Sequence, residues 1–315
     1  MKQKLIDEIQ ELKKKHNALI LAHYYEDGDI QDIADHVGDS LYLAQVGAEN
    51  NNPVVLLAGV VFMAESVKIL SPEKTVLVPD MGAGCSLVDS SPYEEYKLWK
   101  EKHKNSVLIS YVNCSAKVKT VSDVICTSSN AEKIVNSIPK NKQILFGPDE
   151  NLGRYLSKKL NRDMALWPGA CEVHVLFSAK KMVQLKEAHP NAIVLAHPEC
   201  QESVLNHADV IGSTSTLLNA VTKHNTEQFI VATEPGIIHQ MKKLNPKAEY
   251  FEAPAEGNCA CNNCPYMKLN TLEKIRDSLK TLSPAVELDP NIIEKAKTSL
   301  NRMMQITRGE SVNWD

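Results

Sequence analysis

The sequence is poor in aromatic residues and carries no excess of positive charge. Phe, Trp and Tyr make up 5% of its 315 residues, too few for the stacking surfaces on which single-stranded nucleic acids bind. Its 35 Lys and Arg against 39 Asp and Glu give a net charge of -4, which does not favour nucleic acid or an anionic membrane. We therefore expect neither nucleic acid nor membrane among its partners.

Long hydrophobic segments are also missing. The first residues, MKQKLIDEIQELKKKHN, contain no apolar segment of the length that a signal peptide needs, and nowhere do about 18 apolar residues follow one another. We expect a cytoplasmic protein. In that compartment its eight cysteines are expected to be thiols or thiolate ligands rather than disulfides.

Short apolar runs typical of strands alternate with helical patterns along the chain. NALILAH, PVVLLAG, QILFGPD and AIVLAHP are examples, and each ends in His, Gly, Asp or Pro, where a loop should begin. This alternation predicts an α/β protein with parallel sheets covered by helices on both faces. In such sheets ligands bind at the carboxyl ends of the strands.

Three stretches of the chain, starting at Ala22, Ser110 and Ala196, share one pattern of polar residues. In each, the second position is His or Tyr, an Asp follows twelve residues later, and a hydroxyl residue stands five residues beyond the Asp. The three sets are His23, Asp35 and Ser40, then Tyr111, Asp123 and Ser128, then His197, Asp209 and Thr214. Because the successive Asp residues are 88 and 86 residues apart, we infer an internal triplication.

The triplication predicts three homologous domains, at residues 1–88, 89–175 and 176–270. The C-terminal helices, in 271–315, are expected to pack on the first domain. If the domains are arranged around a pseudo-threefold axis with their strand ends inward, equivalent loops meet in a central active site.

One cysteine recurs in an equivalent loop of each repeat. Cys85 lies in PDMGAGCSL, Cys171 in WPGACEVH, and the third loop, EGNCACNNCPYM, contains Cys259, Cys261 and Cys264. Three thiolates are one fewer than the usual four ligands of an iron-sulfur cluster, so a position would stay open for a substrate. Two alternatives remain: the cysteines are small buried residues, or Cys261 and Cys264 form a redox disulfide.

The hydroxyl residues Ser40, Ser128 and Thr214 precede predicted helices. Backbone N–H groups and the helix dipole favour a phosphate or carboxylate there, and simple helix capping is the alternative. A substrate with several anionic groups fits this set better than a neutral one. The other three cysteines have no equivalents between repeats and are expected to be structural: Cys114, Cys126 and Cys200.

A series of motifs along nearly the whole chain resembles the quinolinate synthase family. The motifs include LAHYYEDGDIQDIADHVGDS, AGVVFMAES, GAGCSL, CTSSNAE, WPGACEVH, AHPEC, GSTST and CPYM, in that order. The resemblance implies three three-layer αβα domains and a 4Fe-4S cluster held by one cysteine from each. It also implies the condensation of iminoaspartate with dihydroxyacetone phosphate to quinolinate, for NAD biosynthesis.

The resemblance assigns a role to residues at matching motif positions. The cluster ligands would be Cys85, Cys171 and Cys264, the last because it precedes the Pro-aromatic-Met step. The triose phosphate would be held by His23, Ser40 and Ser128, and the carboxylates of iminoaspartate by Tyr111, Asn113, His197, Ser213 and Thr214. Glu199 with Tyr25 would move protons. The expected substrate pocket also includes Val112 and Pro198, and the expected catalytic residues are Glu199, Tyr25, His23, Tyr111 and His197.

Other functions remain open from the sequence. A radical iron-sulfur enzyme of the diphthamide-synthase type would share the triplication and the cysteine pattern but would need S-adenosylmethionine. A non-catalytic iron-sulfur or zinc sensor is a second alternative, and a phosphate- or sugar-binding module a third. The resemblance also implies L-aspartate oxidase or aspartate dehydrogenase as a transient partner that supplies iminoaspartate.

Overall fold

The computed structural model describes residues 2–224, 226–257 and 262–314, and these ranges form three parallel four-stranded sheets flanked by helices. The strand order is the same in each sheet: the first strand lies between the second and the third, and the fourth pairs with the third. The predicted α/β class with three αβα units is confirmed. Since the order is shared, equivalent loops leave equivalent strand ends in all three units.

The first sheet has the order β2-β1-β3-β4. Its strands are β1 (Ala18–His23), β2 (His36–Gly38), β3 (Val54–Ala58) and β4 (Thr75–Leu77). The helices of this part of the chain are α1 (Lys2–His16), α2 (Gly28–Ile33), α3 (Ser40–Glu49) and α4 (Val61–Leu70).

The second sheet has the order β6-β5-β7-β8. Its strands are β5 (Ser106–Tyr111), β6 (Val124–Cys126), β7 (Gln143–Gly147) and β8 (Met164–Leu166). The accompanying helices are α5 (Ser86–Asp89), α6 (Tyr93–Lys102), α7 (Ala116–Lys119), α8 (Ala131–Ser137) and α9 (Glu150–Leu160).

The third sheet has the order β10-β9-β11-β12. Its strands are β9 (Ile193–Ala196), β10 (Val210–Ile211), β11 (Gln228–Ala232) and β12 (Glu249–Glu252). The helices are α10 (Ala179–Ala188), α11 (Glu202–Leu205), α12 (Thr214–Lys223) and α13 (Ile237–Leu244), followed at the C-terminus by α14 (Leu272–Thr281) and α15 (Pro290–Arg308).

The central strands are apolar throughout because both of their faces are covered. In β1, Leu19 and Leu21 belong to the large core that includes strand residues of all three sheets. Ile20 and Ala22, which point to the opposite face, pack in a separate cluster with Ile275 of α14. An unbroken apolar run is therefore what a doubly covered parallel strand requires.

The two C-terminal helices pack in different places. α14 lies against α1, whereas α15 contacts β6, α7 and α8 of the second unit as well as α4 of the first. α15 begins after Asp289, whose carboxylate accepts the backbone N–H of Asn291, and it ends at Gly309 with φ 89°. The buried side chains of α15 thus face both units, and the expected packing of 271–315 on the first domain stays a prediction. The domain boundaries themselves stay a prediction.

The repeated aspartates Asp35, Asp123 and Asp209 have one structural role in all three units. The Oδ2 atom of each accepts the backbone N–H of the residue 15 positions earlier in the central strand: Ile20 at 2.8 Å, Leu108 at 2.7 Å and Val194 at 2.8 Å. Each carboxylate also pairs with a lysine, namely Lys13, Lys100 or Lys186. These aspartates therefore hold the turn before the second strand against the first strand.

No helix in the described ranges combines the length and the apolar composition needed to cross a membrane.

We expect Asp35→Ala, Asp123→Ala and Asp209→Ala each to lower the free energy of unfolding by about 1–3 kcal/mol, because each leaves a strand N–H without its acceptor. Urea unfolding measures the loss. Asp277→Ala is the control, since Asp277 is 59% exposed and pairs with its neighbour Arg276 on the surface of α14; it should change stability by less than about 0.5 kcal/mol. Equal effects in all four variants would contradict the structural role.

Candidate active site

A cavity with about 670 Å³ of empty space lies at the carboxyl ends of the three central strands. His23 ends β1, Tyr111 ends β5, and His197 follows β9. Most of the predicted site residues line this cavity: His23, Tyr25, Ser40, Cys85, Tyr111, Val112, Asn113, Ser128, Cys171, His197, Glu199, Thr214 and Cys264. The triplicated fold thus brings together residues that are up to 241 positions apart in the sequence, as from His23 to Cys264.

Two predicted pocket residues are not among the side chains that line the cavity. Pro198 is buried between His197 and Glu199. Ser213 is the N-cap of α12, where its hydroxyl accepts the backbone N–H of Thr216 at 3.3 Å. The structure therefore supports capping for Ser213, and the predicted contact of either residue with a substrate stays a prediction.

The three predicted hydroxyl residues lie near the starts of helices. Ser40 is the first residue of α3, Thr214 is the first residue of α12, and Ser128 lies in the loop before α8. The Oγ of Ser128 is 3.2 Å from Nε2 of His197. The Oγ1 of Thr214 is buried and has no hydrogen-bond partner among the described residues, so this wall retains hydrogen-bonding capacity for a ligand.

Three thiols line the same cavity. Cys85, Cys171 and Cys264 each follow the fourth strand of their own sheet, β4, β8 or β12, and all three are free. Burial raises the pKa of Cys85 to about 12 and that of Cys264 to about 11, and it raises the pKa of Cys171 well above its usual value. Cys259 and Cys261 lie outside the described residues.

Two buried carboxylates hold the cysteine loops. The Oδ1 atom of Asp149 accepts the backbone N–H of Leu152, at the start of α9. Its Oδ2 atom accepts the backbone N–H of Cys171 at 3.2 Å. Glu234 accepts the N–H of Cys264 at 3.3 Å through Oε1. Both carboxylates are fully buried. The positions of these two thiols are thus set by backbone hydrogen bonds that do not involve the sulfur atoms.

Glu199 lies at the centre of a buried polar network. Tyr111 donates its hydroxyl to Oε1 at 2.6 Å, and Nδ1 of His174 is 3.2 Å from Oε2. Burial by itself would raise the pKa of Glu199, but the neighbouring His174 and the hydrogen bond from Tyr111 hold the pKa below its usual value. Glu199 is therefore an ionised carboxylate inside the cavity, able to accept a proton.

The network continues from His174 to Tyr25. Nε2 of His174 is 2.9 Å from Oγ1 of Thr233, and that hydroxyl is 2.7 Å from the hydroxyl of Tyr25. Burial raises the pKa of Tyr25 well above its usual value, so its hydroxyl keeps its proton. A continuous hydrogen-bonded path therefore joins Tyr25 to Glu199.

One group of side chains in this network could hold a metal ion. The ligand atoms of Cys171, His174 and Glu199 lie within 4.8 Å of one another. Nδ1 of His174 is 3.2 Å from the sulfur of Cys171. The cavity therefore combines soft sulfur donors with a nitrogen and an oxygen donor on the same side.

None of the described side chains that line the cavity is Lys or Arg. Burial lowers the pKa of His23 to about 4 and that of His197 to about 3, against opposing contributions from neighbouring carboxylates. Nδ1 of His23 also accepts the backbone N–H of Tyr25 at 3.2 Å, which requires an unprotonated nitrogen. An anionic ligand would therefore meet neutral hydrogen-bond donors rather than fixed positive charges.

Comparison with known proteins identifies the family. Residues 7–305 match the sequence profile described as NadA, quinolinate synthetase A protein. The chain belongs to the quinolinate synthetase A family. It is similar to proteins named quinolinate synthase from Nostoc sp. (54% identity over 299 residues, 95% of this chain and 92% of the relative) and Microcystis aeruginosa (53% over 303 residues, 96% and 95%). One from Cyanophora paradoxa is 52% identical over 303 residues, 96% of this chain and 92% of the relative.

Membership of the quinolinate synthetase A family confirms the resemblance on which the sequence analysis relied. It also confirms that the chain is an enzyme, because its relatives carry an enzyme name. The roles of the individual site residues stay predictions.

Sequence reasoning missed five polar residues of the cavity region. Three of them are Asp39, Thr127 and His174, and Thr233 and Glu234 bring the number to five. His174 stands three residues after Cys171 in WPGACEVH, so a Cys-x-x-His step was visible. Thr233 and Glu234 directly follow β11, the third strand of its sheet. Open parallel sheets bind ligands at the point where the chain leaves the first and third strands in opposite directions, so polar residues after β11 were candidates for the site.

We expect His23→Gln to weaken the pH dependence of stability. Between about pH 6.5 and pH 4 the unfolded chain protonates His23 and the folded chain does not, so the wild type loses stability as the pH falls through this window. Urea unfolding between pH 7 and pH 4.5 should show a loss roughly 2 kcal/mol larger in the wild type than in the variant. Parallel curves for the two proteins would show that His23 titrates normally.

Proposed function

We propose that the chain is a quinolinate synthase that condenses iminoaspartate with dihydroxyacetone phosphate to give quinolinate, phosphate and water for NAD biosynthesis. The observation that carries the proposal is one cavity with three thiols, one from each unit, facing hydroxyl residues and an ionised Glu199. Similarity to relatives named quinolinate synthase supports the reaction. L-aspartate oxidase or aspartate dehydrogenase would supply the iminoaspartate.

The donor set fits a 4Fe-4S cluster. Cys85, Cys171 and Cys264 are free, lie at the cavity and come from equivalent loops, and thiolate sulfur is the usual ligand of such clusters. Because the set has three thiols, one iron would lack a protein thiolate. The bound cluster would act as a Lewis acid toward a substrate hydroxyl or carboxylate, without a redox change.

The substrate groups would bind to neutral donors. In this proposal His23, Ser40 and Ser128 hold the phosphate of the triose. The carboxylates of iminoaspartate bind at Tyr111, Asn113, His197, Ser213 and Thr214, among which Thr214 has a buried hydroxyl with no partner in the described chain. Hydroxyls, imidazoles and helix N-termini bind anions without the strong retention of a Lys or Arg cluster, which suits a site that must release phosphate.

Glu199 would be the general base, and Tyr25 would be the general acid. Glu199 is ionised and can remove a proton from a substrate carbon, while Tyr111 orients it through Oε1. Tyr25 keeps its proton and can donate it to a leaving hydroxyl, after which the path through Thr233 and His174 returns the proton taken up by Glu199. These two groups thus connect proton removal to loss of water.

Apolar side chains close the remaining walls. Val60, Phe62 and Met267 line the cavity and are almost fully buried. Because iminoaspartate hydrolyses readily in water, their exclusion of solvent protects this substrate during the condensation.

We expect anaerobically purified protein to form quinolinate from dihydroxyacetone phosphate and freshly generated iminoaspartate. Air exposure should abolish the product. Cys171→Ala should lose both the activity and the iron and sulfide content, because it removes one of three ligands. Cys126→Ala is the control, since Cys126 is a free, buried cysteine that is not a cavity residue, and it should keep both. No product from protein with a full complement of iron and sulfide would instead favour the radical enzyme or the sensor.

We expect Glu199→Gln to lower kcat by about 10²- to 10⁴-fold, because the amide cannot accept the substrate proton. Iron and sulfide content should not change. Glu202→Gln, three residues further along, is the control because Glu202 pairs with Lys158 on the surface; its kcat should equal that of the wild type. Near-normal turnover in Glu199→Gln would remove Glu199 as the base.

A further inference from the structure

The carboxylate of Asp39 joins all three units of the fold. Asp39 precedes α3 and is 7% exposed. Its Oδ2 accepts the hydroxyl of Ser129, from the second unit, at 2.6 Å and the hydroxyl of Ser215, from the third unit, at 2.9 Å. Its Oδ1 accepts the backbone N–H of Tyr42, within the first unit, at 2.8 Å. We call the contacts of Asp39 with Ser129 and Ser215 the inter-unit clasp.

Each residue of the clasp is the direct neighbour of a predicted anion-binding residue. Asp39 is followed by Ser40, Ser129 is preceded by Ser128, and Ser215 is preceded by Thr214. The three neighbours line the cavity. Because successive Cα atoms are about 3.8 Å apart, the clasp limits how far these neighbours can separate.

Helix capping alone does not account for a carboxylate at this position. The equivalent positions in the other two units are Thr127 and Ser213, which are neutral. The hydroxyl of Ser213 caps α12, so a hydroxyl is sufficient for that purpose in this fold. Asp39 caps α3 with Oδ1, whereas its Oδ2 accepts a hydrogen bond from another unit.

A negative charge beside an anion site also has an electrostatic cost. Asp39 lines the cavity together with Glu199 and Glu234, and no described lining residue is Lys or Arg. Like charges repel, so removal of the Asp39 charge by itself would tighten the binding of a phosphate. If Asp39 instead positions the binding residues, its removal weakens the binding of phosphate. The direction of the change in phosphate affinity therefore distinguishes a positioning role from simple charge repulsion.

We propose that Asp39 is a positioning residue, which holds Ser40 and Ser128 at the spacing that binds the phosphate of the triose substrate. This inference rests on the proposed function. The hydroxyl of Ser129 connects Asp39 to the second unit. The hydroxyl of Ser215 connects Asp39 to the third unit, in which Thr214 is proposed to bind a carboxylate of iminoaspartate. Asp39 itself makes no hydrogen bond to the substrate.

The test uses Asp39→Ser in the anaerobically purified holoenzyme, because Ser keeps the helix cap and removes the inter-unit bonds. We expect the KM for dihydroxyacetone phosphate to rise about tenfold, as the loss of a charge-assisted hydrogen bond predicts, with kcat changed less than about twofold. Ser129→Ala should also raise this KM. The double variant should be no worse than Asp39→Ser, because both changes break the same connection.

Ser137→Ala is the matched control, since Ser137 lies in α8 near Ser129 in sequence, and its hydroxyl donates to the carbonyl of Ile134 within that helix; its KM should equal that of the wild type. An unchanged or lowered KM in Asp39→Ser and Ser129→Ala would overturn the clasp while the proposed function stands. If Asp39→Ser does not fold, Ser129→Ala decides by the same criterion. Wild-type holoenzyme that forms no quinolinate would instead overturn the proposed function, and this inference with it.

Discussion

The site depends on one constraint: three parallel sheets of identical strand order direct their carboxyl ends to a common cavity. Each sheet contributes a residue at the end of its first strand, such as His23, and a cysteine after its fourth. The loops between strands therefore have equivalent roles in the three units. The repeated aspartates Asp35, Asp123 and Asp209 maintain this arrangement from within each unit, by binding the turn to the central strand.

Buried carboxylates organise the cavity more than positive charges do. Asp149 and Glu234 hold the backbone of the cysteine loops, Asp39 connects the units, and Tyr111 and His174 contact the carboxylate of Glu199. For Asp149 and Glu234, burial outweighs the hydrogen bonds that they accept and raises their pKa values, that of Glu234 to about 7. The result is a cavity with defined loop positions in which an anion meets mainly neutral hydrogen-bond donors. Such a site can bind and release charged groups as the proposed reaction requires.

Much of the site could be predicted from the sequence because the triplication repeats its polar residues at constant spacing. His23, Tyr111 and His197 are recognisable as equivalents from their spacing alone, whereas the choice of Cys264 in the third cysteine loop came from the resemblance. Thr233 is not, since it has no distinctive spacing and its role arises only where its hydroxyl meets Tyr25 and His174. Asp39 was missed for a similar reason, because its partners Ser129 and Ser215 lie 90 and 176 residues away.

The amino-acid sequence by itself determined the strand and helix pattern, the threefold repeat and the residue types at the strand ends, because these depend on local periodicity and on spacing along the chain. Tertiary structure alone decided which of those residues touch. It gave the hydroxyl of Ser213 a capping bond at the start of α12, and it placed α15 against two units. It also joined Tyr25 to Glu199 through Thr233 and His174, since hydrogen bonds between distant segments depend on how the units pack and not on their order in the chain.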